Sequence, residues 1–188
     1  MLRRLKLVVA ALLGVFLLVY VAAAIALALK DDAIPVYEEH AASYATIGIF
    51  GASGTAGDGI LKAALENPEI STVHVFTRRV TPRIQQGIDS GKVRMTLHMD
   101  YLDYSAIVGE LAALDAVYWA IGISSIGVDE KTYGRIHVDF PARFVSTWLD
   151  ASDRADISFH YISSSDISED SRAMWAREKV RAERTLFA

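Results

Sequence analysis

Two kinds of apolar pattern run along the chain. From Leu7 to Leu29 no residue is charged and no polar face recurs. At about 1.5 Å per residue a helix of that run is roughly 35 Å long, enough to cross a hydrocarbon core ~30 Å thick. Arg3, Arg4 and Lys6 precede it. Ala24-Ile25-Ala26 could serve as a cleavage site, but the run is longer than the roughly 7–15 residues of a signal-peptide core. The pattern therefore predicts an uncleaved N-terminal anchor over 1–29, with residues 7–29 in contact with the lipid bilayer. Residues 30–44 carry Asp31, Asp32, Pro35, Glu38 and Glu39 and read as a polar linker.

After the linker, short apolar runs of strand length alternate with helical periodicity. Strands are expected at Thr46–Phe50, Thr72–Thr77, Val93–Met99, Ala116–Ile121 and Ile157–Ser163. Helices are expected at Thr55–Glu66, Tyr104–Ala113, Thr132–Ala151 and Arg172–Phe187. This alternation specifies an α/β domain over 45–188 with a doubly wound parallel sheet. Right-handed crossovers favour the strand order 3-2-1-4-5. The full arrangement has a sixth strand, whereas this chain ends on Leu186-Phe187-Ala188 after the helix that follows the fifth. The sheet is therefore expected to be C-terminally truncated, without most of the substrate-binding residues.

The first strand runs straight into G-A-S-G-T-A-G at 51–57, and helical sequence follows at once. Glycines at 51, 54 and 57 allow a tight turn and close backbone approach. The next helix points its free N–H groups and positive dipole end at whatever sits over the loop, which suits a pyrophosphate. Gly51, Ser53, Gly54, Thr55 and Gly57 are thus candidate cofactor-binding residues. No Lys-Ser/Thr follows, so the loop is not an NTP-binding P-loop, and Ser53 lacks the second glycine of a nucleophile elbow. At the end of the second strand an NAD site usually carries Asp or Glu for the ribose 2′-hydroxyl. This chain carries Arg78 and Arg79, whose charge and bidentate geometry suit a 2′-phosphate. NADP is therefore favoured over NAD. The bland alternative is a solvated arginine pair. The glycine loop, Arg78, Asp100, Gly122 and Ser163 all lie at predicted strand ends, where ligands bind in such sheets.

Bulk properties narrow the classes. The chain has 188 residues, 52% of them hydrophobic, and a net charge of −4, so nothing points to nucleic acid. It has no cysteine, which excludes disulfides, thiol catalysis and zinc–thiolate sites. Its five histidines are scattered with no i, i+4 pair, so no metal is expected.

Taken in order, the glycine motif, Arg78-Arg79, D-Y-L-D at 100–103, A-I-G-I-S-S at 120–125, Y-I-S-S-S at 161–165 and M-W-A-R-E-K at 174–179 resemble the atypical short-chain dehydrogenase/reductases, on their NAD-dependent epimerase-like branch. The resemblance covers about Thr46 to Ala188 and implies a Rossmann NAD(P)-binding domain. It would put Asp100 near the adenine and Gly122 on the cofactor's border. In that family a Ser after the fifth strand and a Tyr-x-x-x-Lys on the next helix carry the chemistry. Here the Lys matches Lys179, which would hold the nicotinamide ribose. The Ser matches Ser163, Ser164 or Ser165. The Tyr position is Trp175. Indole has one N–H donor and does not titrate near neutral pH, so it cannot serve as a general acid/base. Tyr161, on the same side of the strand as Ser163, could substitute, or could be an ordinary core tyrosine.

Two function classes follow. One is an oxidoreductase or epimerase acting on a small carbonyl or hydroxyl compound. The other is a cofactor-binding regulatory or interaction protein without turnover. The last helix bears Arg172, Arg177, Arg181 and Arg184 with Glu178 and Glu183, which reads either as a solvated face or as a homodimer face. The basic residues before the apolar run would keep the N-terminus cytosolic and export the domain, whereas a nicotinamide cofactor, chiefly cytosolic, argues for a cytosolic domain; the charge asymmetry tips the reading slightly towards the exterior or a lumen.

Overall fold

The computed structural model describes residues 2–28 and 44–187, in two units, Met1–Ala41 and Ala42–Ala188. In the first, α1 (Leu2–Ala28) is helical, and its side chains at 11–26 are exposed, apolar ones such as Leu12, Phe16 and Leu18 included. Among the described residues no helix is long and apolar enough to cross a membrane. The span expected at Leu7 to Leu29 lies partly outside them, and the linker expected at 30–44 lies outside them but for Tyr44.

The second unit is built on five parallel strands, β1 (Thr46–Phe50), β2 (Thr72–Thr77), β3 (Val93–Leu97), β4 (Ala116–Trp119) and β5 (Ser158–Tyr161), in the order β3-β2-β1-β4-β5. This is the predicted topology. Three strands stop short of their predicted ends because their partners do. β1 ends where Gly51 takes φ +86°, so the N–H of Ala120 bonding Phe50 O closes the β1–β4 ladder. Beyond that point the chain turns into loops.

Side chains alternate between two faces of the sheet. One face is aliphatic, with Ile47, Ile49, Val73 and Val75 packed against α2 (Thr55–Glu66) and α3 (Pro82–Asp89) through Leu61 and Ile84. The other is aromatic. Phe50 stacks on Phe76 at 4.6 Å and on Trp119 at 4.9 Å, and Phe144 and Trp148 close over them. The Trp148 indole N–H bonds Leu111 O at 3.0 Å, tying α6 (Phe140–Ala151) to α4 (Val108–Leu111).

Three helical features differ from the sequence expectation, one being the helix expected at Tyr104–Ala113, which is a 3-10 turn (Ser105–Ile107) followed by the short α4. α3 was not predicted. It starts on Thr81, whose hydroxyl accepts from Ile84 N, with Pro82 at its first position, where a missing N–H costs nothing. The long helix expected at Thr132–Ala151 is instead α5 (Glu130–Gly134), a π-helical turn (Arg135–Asp139) and α6. Pro141 supplies the reason for part of this. It has no N–H to give the carbonyl four residues back, that of His137. That carbonyl is satisfied from another element, by the Tyr161 hydroxyl at 3.1 Å. α7 (Met174–Leu186) packs on α5, the π turn and α6. It comes so close that a Cβ on Gly134 would stand 2.5 Å from Glu178 Oε2.

Candidate functional site

The end of β1 is built for close approach. A Cβ on Gly51 would stand 2.6 Å from the carbonyl carbon and oxygen of Ala120, and a Cβ on Gly57 would overlap the Gly51 carbonyl oxygen. Gly54 N bonds Gly51 O at 3.0 Å and holds the turn. Gly54 is also the N-cap of α2 and has no side chain to cap it. The free N–H groups at the start of α2 therefore have no side-chain cap from Gly54.

Over this loop lies a cleft of about 180 Å³. The sequence-predicted residues Gly51, Ser53, Gly54, Arg78, Arg79 and Gly122 all line it. Thr55 and Gly57 stand directly behind, in the first turn of α2. Asp100 does not line it. Its Oδ1 accepts from Leu102 N at 2.9 Å and shapes the turn after β3. That turn presents Tyr101 to the cleft instead.

The arginine pair is held by Thr77, which the sequence reading did not single out. Thr77, 2% exposed, donates its hydroxyl to Arg79 O at 3.0 Å and accepts from Arg79 N at 3.3 Å. This local turn is a common role for Ser and Thr, and it aims both guanidinium groups at the cleft mouth. Arg79 Nη2 donates to Ser53 O at 3.2 Å, so it spans from the β2 end to the glycine loop. Burial pushes the Tyr101 phenol up, and the Arg78 charge opposes that shift.

Next to the cleft, a second group gathers at the ends of β4 and β5. Gly122 lies against His137, whose Cε1 would be 2.8 Å from a Cβ there. His137 is 4% exposed, stacks on Tyr133 at 4.0 Å and sets Nε2 at 3.2 Å from both the N and the O of Ile123. Its Nδ1 is buried without a partner among the described residues. Burial, and then the charge of Lys179, lower its pKa to about 4, so the ring is neutral at pH 7. Lys179 Nζ donates to Ile162 O at 2.8 Å and to Tyr161 Oη at 3.1 Å, and sits 4.6 Å from the centre of the Tyr161 ring. Burial lowers the Lys179 pKa to about 8, against the pull of Glu183. Burial raises that of the Tyr161 phenol.

Of the three candidate serines, Ser163 turns its hydroxyl inward, buried and without a partner among the described residues, while Ser164 and Ser165 are exposed. Trp175 lies one turn before Lys179 on α7 and is half-buried. Neither Trp175, Lys179 nor the serines line the 180 Å³ cleft.

A more open groove of about 420 Å³ runs along α7. Its arginines are already paired, Arg177 with Glu130 at 2.8 Å, Arg181 with Glu178 at 2.5 Å, and Arg184 with Glu169. It lacks the converging backbone donors and free cations of the cleft. Among the described residues no cluster of three or more His, Asp or Glu is set to hold a metal.

Neither a protein-family model nor a curated protein matches the chain. Solved structures do. UDP-glucuronic acid 4-epimerase from Bacillus cereus, in complex with NAD, superposes with a TM-score of 0.60 at 18% identity, over 76% of this chain and 51% of that one. The carbonyl reductase Sniffer of D. melanogaster gives 0.59 at 14% identity, over 76% and 71%. The PhqB reductase domain from Penicillium fellutanum gives 0.59 at 19%, over 76% and 43%. The chain spans about half the length of the epimerase it matches. Its five-stranded parallel sheet has the Rossmann fold of these structures.

Proposed function

We propose that this chain is an NADP(H)-binding protein of the atypical short-chain dehydrogenase/reductase type, an oxidoreductase or epimerase acting on a small carbonyl or hydroxyl compound. The observation that carries the reading is the single cleft in which the glycine loop meets Arg78 and Arg79. The residues present fit the cofactor. The loop leaves room that a Cβ would fill, and the uncapped start of α2 suits the pyrophosphate. The two guanidinium groups suit the 2′-phosphate that NAD lacks. When bound, the cofactor supplies hydride. The chain's own part is to orient it and to exclude water with Tyr101, Ile121 and the β4 end. By the resemblance, Ser163 would hold a substrate oxygen and Lys179 a ribose hydroxyl.

One observation favours a second reading, a cofactor-binding regulatory or interaction protein without turnover. Trp175 stands where the related enzymes carry their proton-transferring phenol, and its indole cannot take that role. Membrane attachment through residues 7–29 belongs to the proposal too. It is supported by the uncharged run and by the outward apolar side chains of α1. The basic residues before that run support a domain on the exterior or lumenal side.

The test is replacement of Arg78 and Arg79 by Ala, with NADPH and NADH affinity read by fluorescence titration. Each charge-assisted hydrogen bond lost is worth roughly 1.5–3 kcal/mol. NADPH binding should therefore weaken at least ~10-fold, while NADH, without the 2′-phosphate, changes less than about threefold. Equal losses for both cofactors would sink the assignment.

A further inference from the structure

Among the described residues β3 stands at one end of the sheet, with β2 on one side and no strand on the other. Its backbone groups point two ways. The N–H of Val73 bonds Lys92 O at 2.9 Å, and the N–H of His98 bonds Thr77 O at 3.0 Å. By the alternation of a strand, the residues in step with Lys92 and His98 face β2, and Val93, Met95 and Leu97 turn their N–H and C=O groups outward. Such an edge is a template for another strand unless proline, a bulge or a cover blocks it. β3 has no proline, and its Leu97 is 63% exposed.

Charge on one face of this edge is complementary to itself. Arg94 is exposed and has no ion pair among the described residues. Two residues on, Thr96 donates to Glu110 Oε2 of α4 at 2.6 Å, and His74 Nε2 lies 3.1 Å from the same oxygen. The Glu110 side chain is 40% exposed, and its second oxygen has no partner among the described residues. Burial lowers the His74 pKa, Glu110 opposes that shift and Arg94 adds to it, which places both charges on the His74 face.

We propose that β3 pairs antiparallel with β3 of a second copy of this chain, about a two-fold axis at Met95, so that two sheets join edge to edge. With Met95 opposite its own counterpart, Val93 lies across from the second copy's Leu97, and Arg94 from its Thr96. Each outward residue then gives one backbone hydrogen bond and takes one. Arg94 and the opposing Thr96 form the closer, non-hydrogen-bonded pair, which brings the guanidinium to the Glu110 carboxylate that Thr96 holds. On the opposite face the exposed Leu97 is covered by Val93. Charge selects this register. A slip of two residues one way sets Arg94 directly against Arg94, and a slip the other way carries it past the strand to His98. Each copy uses up its β3 edge, so the pairing closes at two. The arginines of α7 are less suited to a partner, because they are already paired within the chain. The pairing does not depend on the cofactor reading.

The test uses the full chain in nonionic detergent, with mass read by sedimentation equilibrium. All variants keep α1, so differences among them report on β3. Wild type should show a concentration-dependent equilibrium between monomer and dimer. Arg94→Glu and Glu110→Arg, each alone, set like charges against one another and should weaken the dimer at least ~10-fold. Mixed in equal amounts they should regain it, because each supplies the charge the other needs. Leu97→Pro removes an outward donor and spares the ladder to β2, so it should abolish the dimer with Tm within a few degrees of wild type. The chain has no cysteine. Met95→Cys therefore puts a single thiol on the axis, which a short bis-methanethiosulfonate should link to its counterpart. Lys62→Cys, exposed on α2, should not link.

Wild type that stays monomeric at every concentration overturns the pairing, and so does a dimer that Arg94→Glu and Leu97→Pro leave intact. Both residues are exposed, so these two variants decide the matter even where Glu110→Arg fails to fold. A mixture no stronger than its parts, or a Met95→Cys chain that links no faster than Lys62→Cys, overturns the register at Met95.

Discussion

Three glycines within six residues should give three different results when changed to alanine. A Cβ on Gly57 would overlap Gly51 O and stand 2.5 Å from Gly51 C and 2.8 Å from Ala52 Cα. These are backbone atoms at the end of β1, which is fixed by ladders to β2 and β4, so no side chain can swing aside. Overpacking of this kind costs roughly 1–3 kcal/mol when side chains yield, and the upper end applies here. At about 2–4 °C per kcal/mol for a domain of this size, Gly57→Ala should lower Tm by roughly 6–12 °C. Gly59, on the exposed face of α2, has nothing within 4 Å of a Cβ. Gly59→Ala should raise stability by about 0.5–1 kcal/mol through helix propensity. Gly54 has φ −97° and ψ 169°, open to any residue, and its Cβ would sit 3.4 Å from Gly51 O. Gly54→Ala should leave Tm within about 2 °C, yet its methyl would take space in the cleft that Gly54 lines. NADPH binding should then weaken at least ~10-fold, about 1.4 kcal/mol. The assay is thermal melting with and without saturating NADPH, plus fluorescence titration. A Gly57→Ala protein that melts with wild type would refute the close-approach argument. A Gly54→Ala protein that binds NADPH normally would move the pyrophosphate elsewhere.

Two further outcomes concern stability. His137 titrates near 6.5 in an unfolded chain and near 4 when folded. Between those values the unfolded chain binds more protons, so stability falls as pH drops from about 6.5 towards 4, by at most roughly 3 kcal/mol. Urea melts across that range should show a shallower pH dependence in His137→Phe than in wild type, and parallel curves would refute the burial argument. Asp115, 7% exposed, accepts from Thr46 N at 2.6 Å and pairs with Arg154. Asp115→Ala leaves a β1 N–H unpaired and should cost about 3 kcal/mol, seen as a lower urea midpoint at unchanged m-value.

The parts of this molecule that were legible in sequence are those in which neighbours along the chain do the work. β1 and β2, with the helix between them, match their predicted bounds because apolar runs, three glycines and an apolar stripe define them locally. The glycine loop and the arginine pair are equally local, and both line the cleft. α3 was missed, although Thr81-Pro82 is a helix start and Ile84 and Ile88 share a face. It is short and carries Gly87 in its interior, which weakens the periodic signal. Topology alone could have restored it, because β2 and β3 are parallel neighbours and need a crossover.

The β5–α7 end of the domain was not legible, and the reason is physical. A motif on one helix fixes spacing on that helix only, so Trp175 and Lys179 read as a site with its phenol missing. The Lys179–Tyr161 hydrogen bond joins β5 to α7 across eighteen positions of sequence. It depends on how α7 seats against the end of α5, where Gly134 admits Glu178 and Arg181. Pro141 is the one local clue. Its absent N–H leaves the His137 carbonyl to seek a donor off the helix, and the donor it finds is Tyr161. The residue that completes the helix's hydrogen bonding therefore comes from the strand and not from the helix.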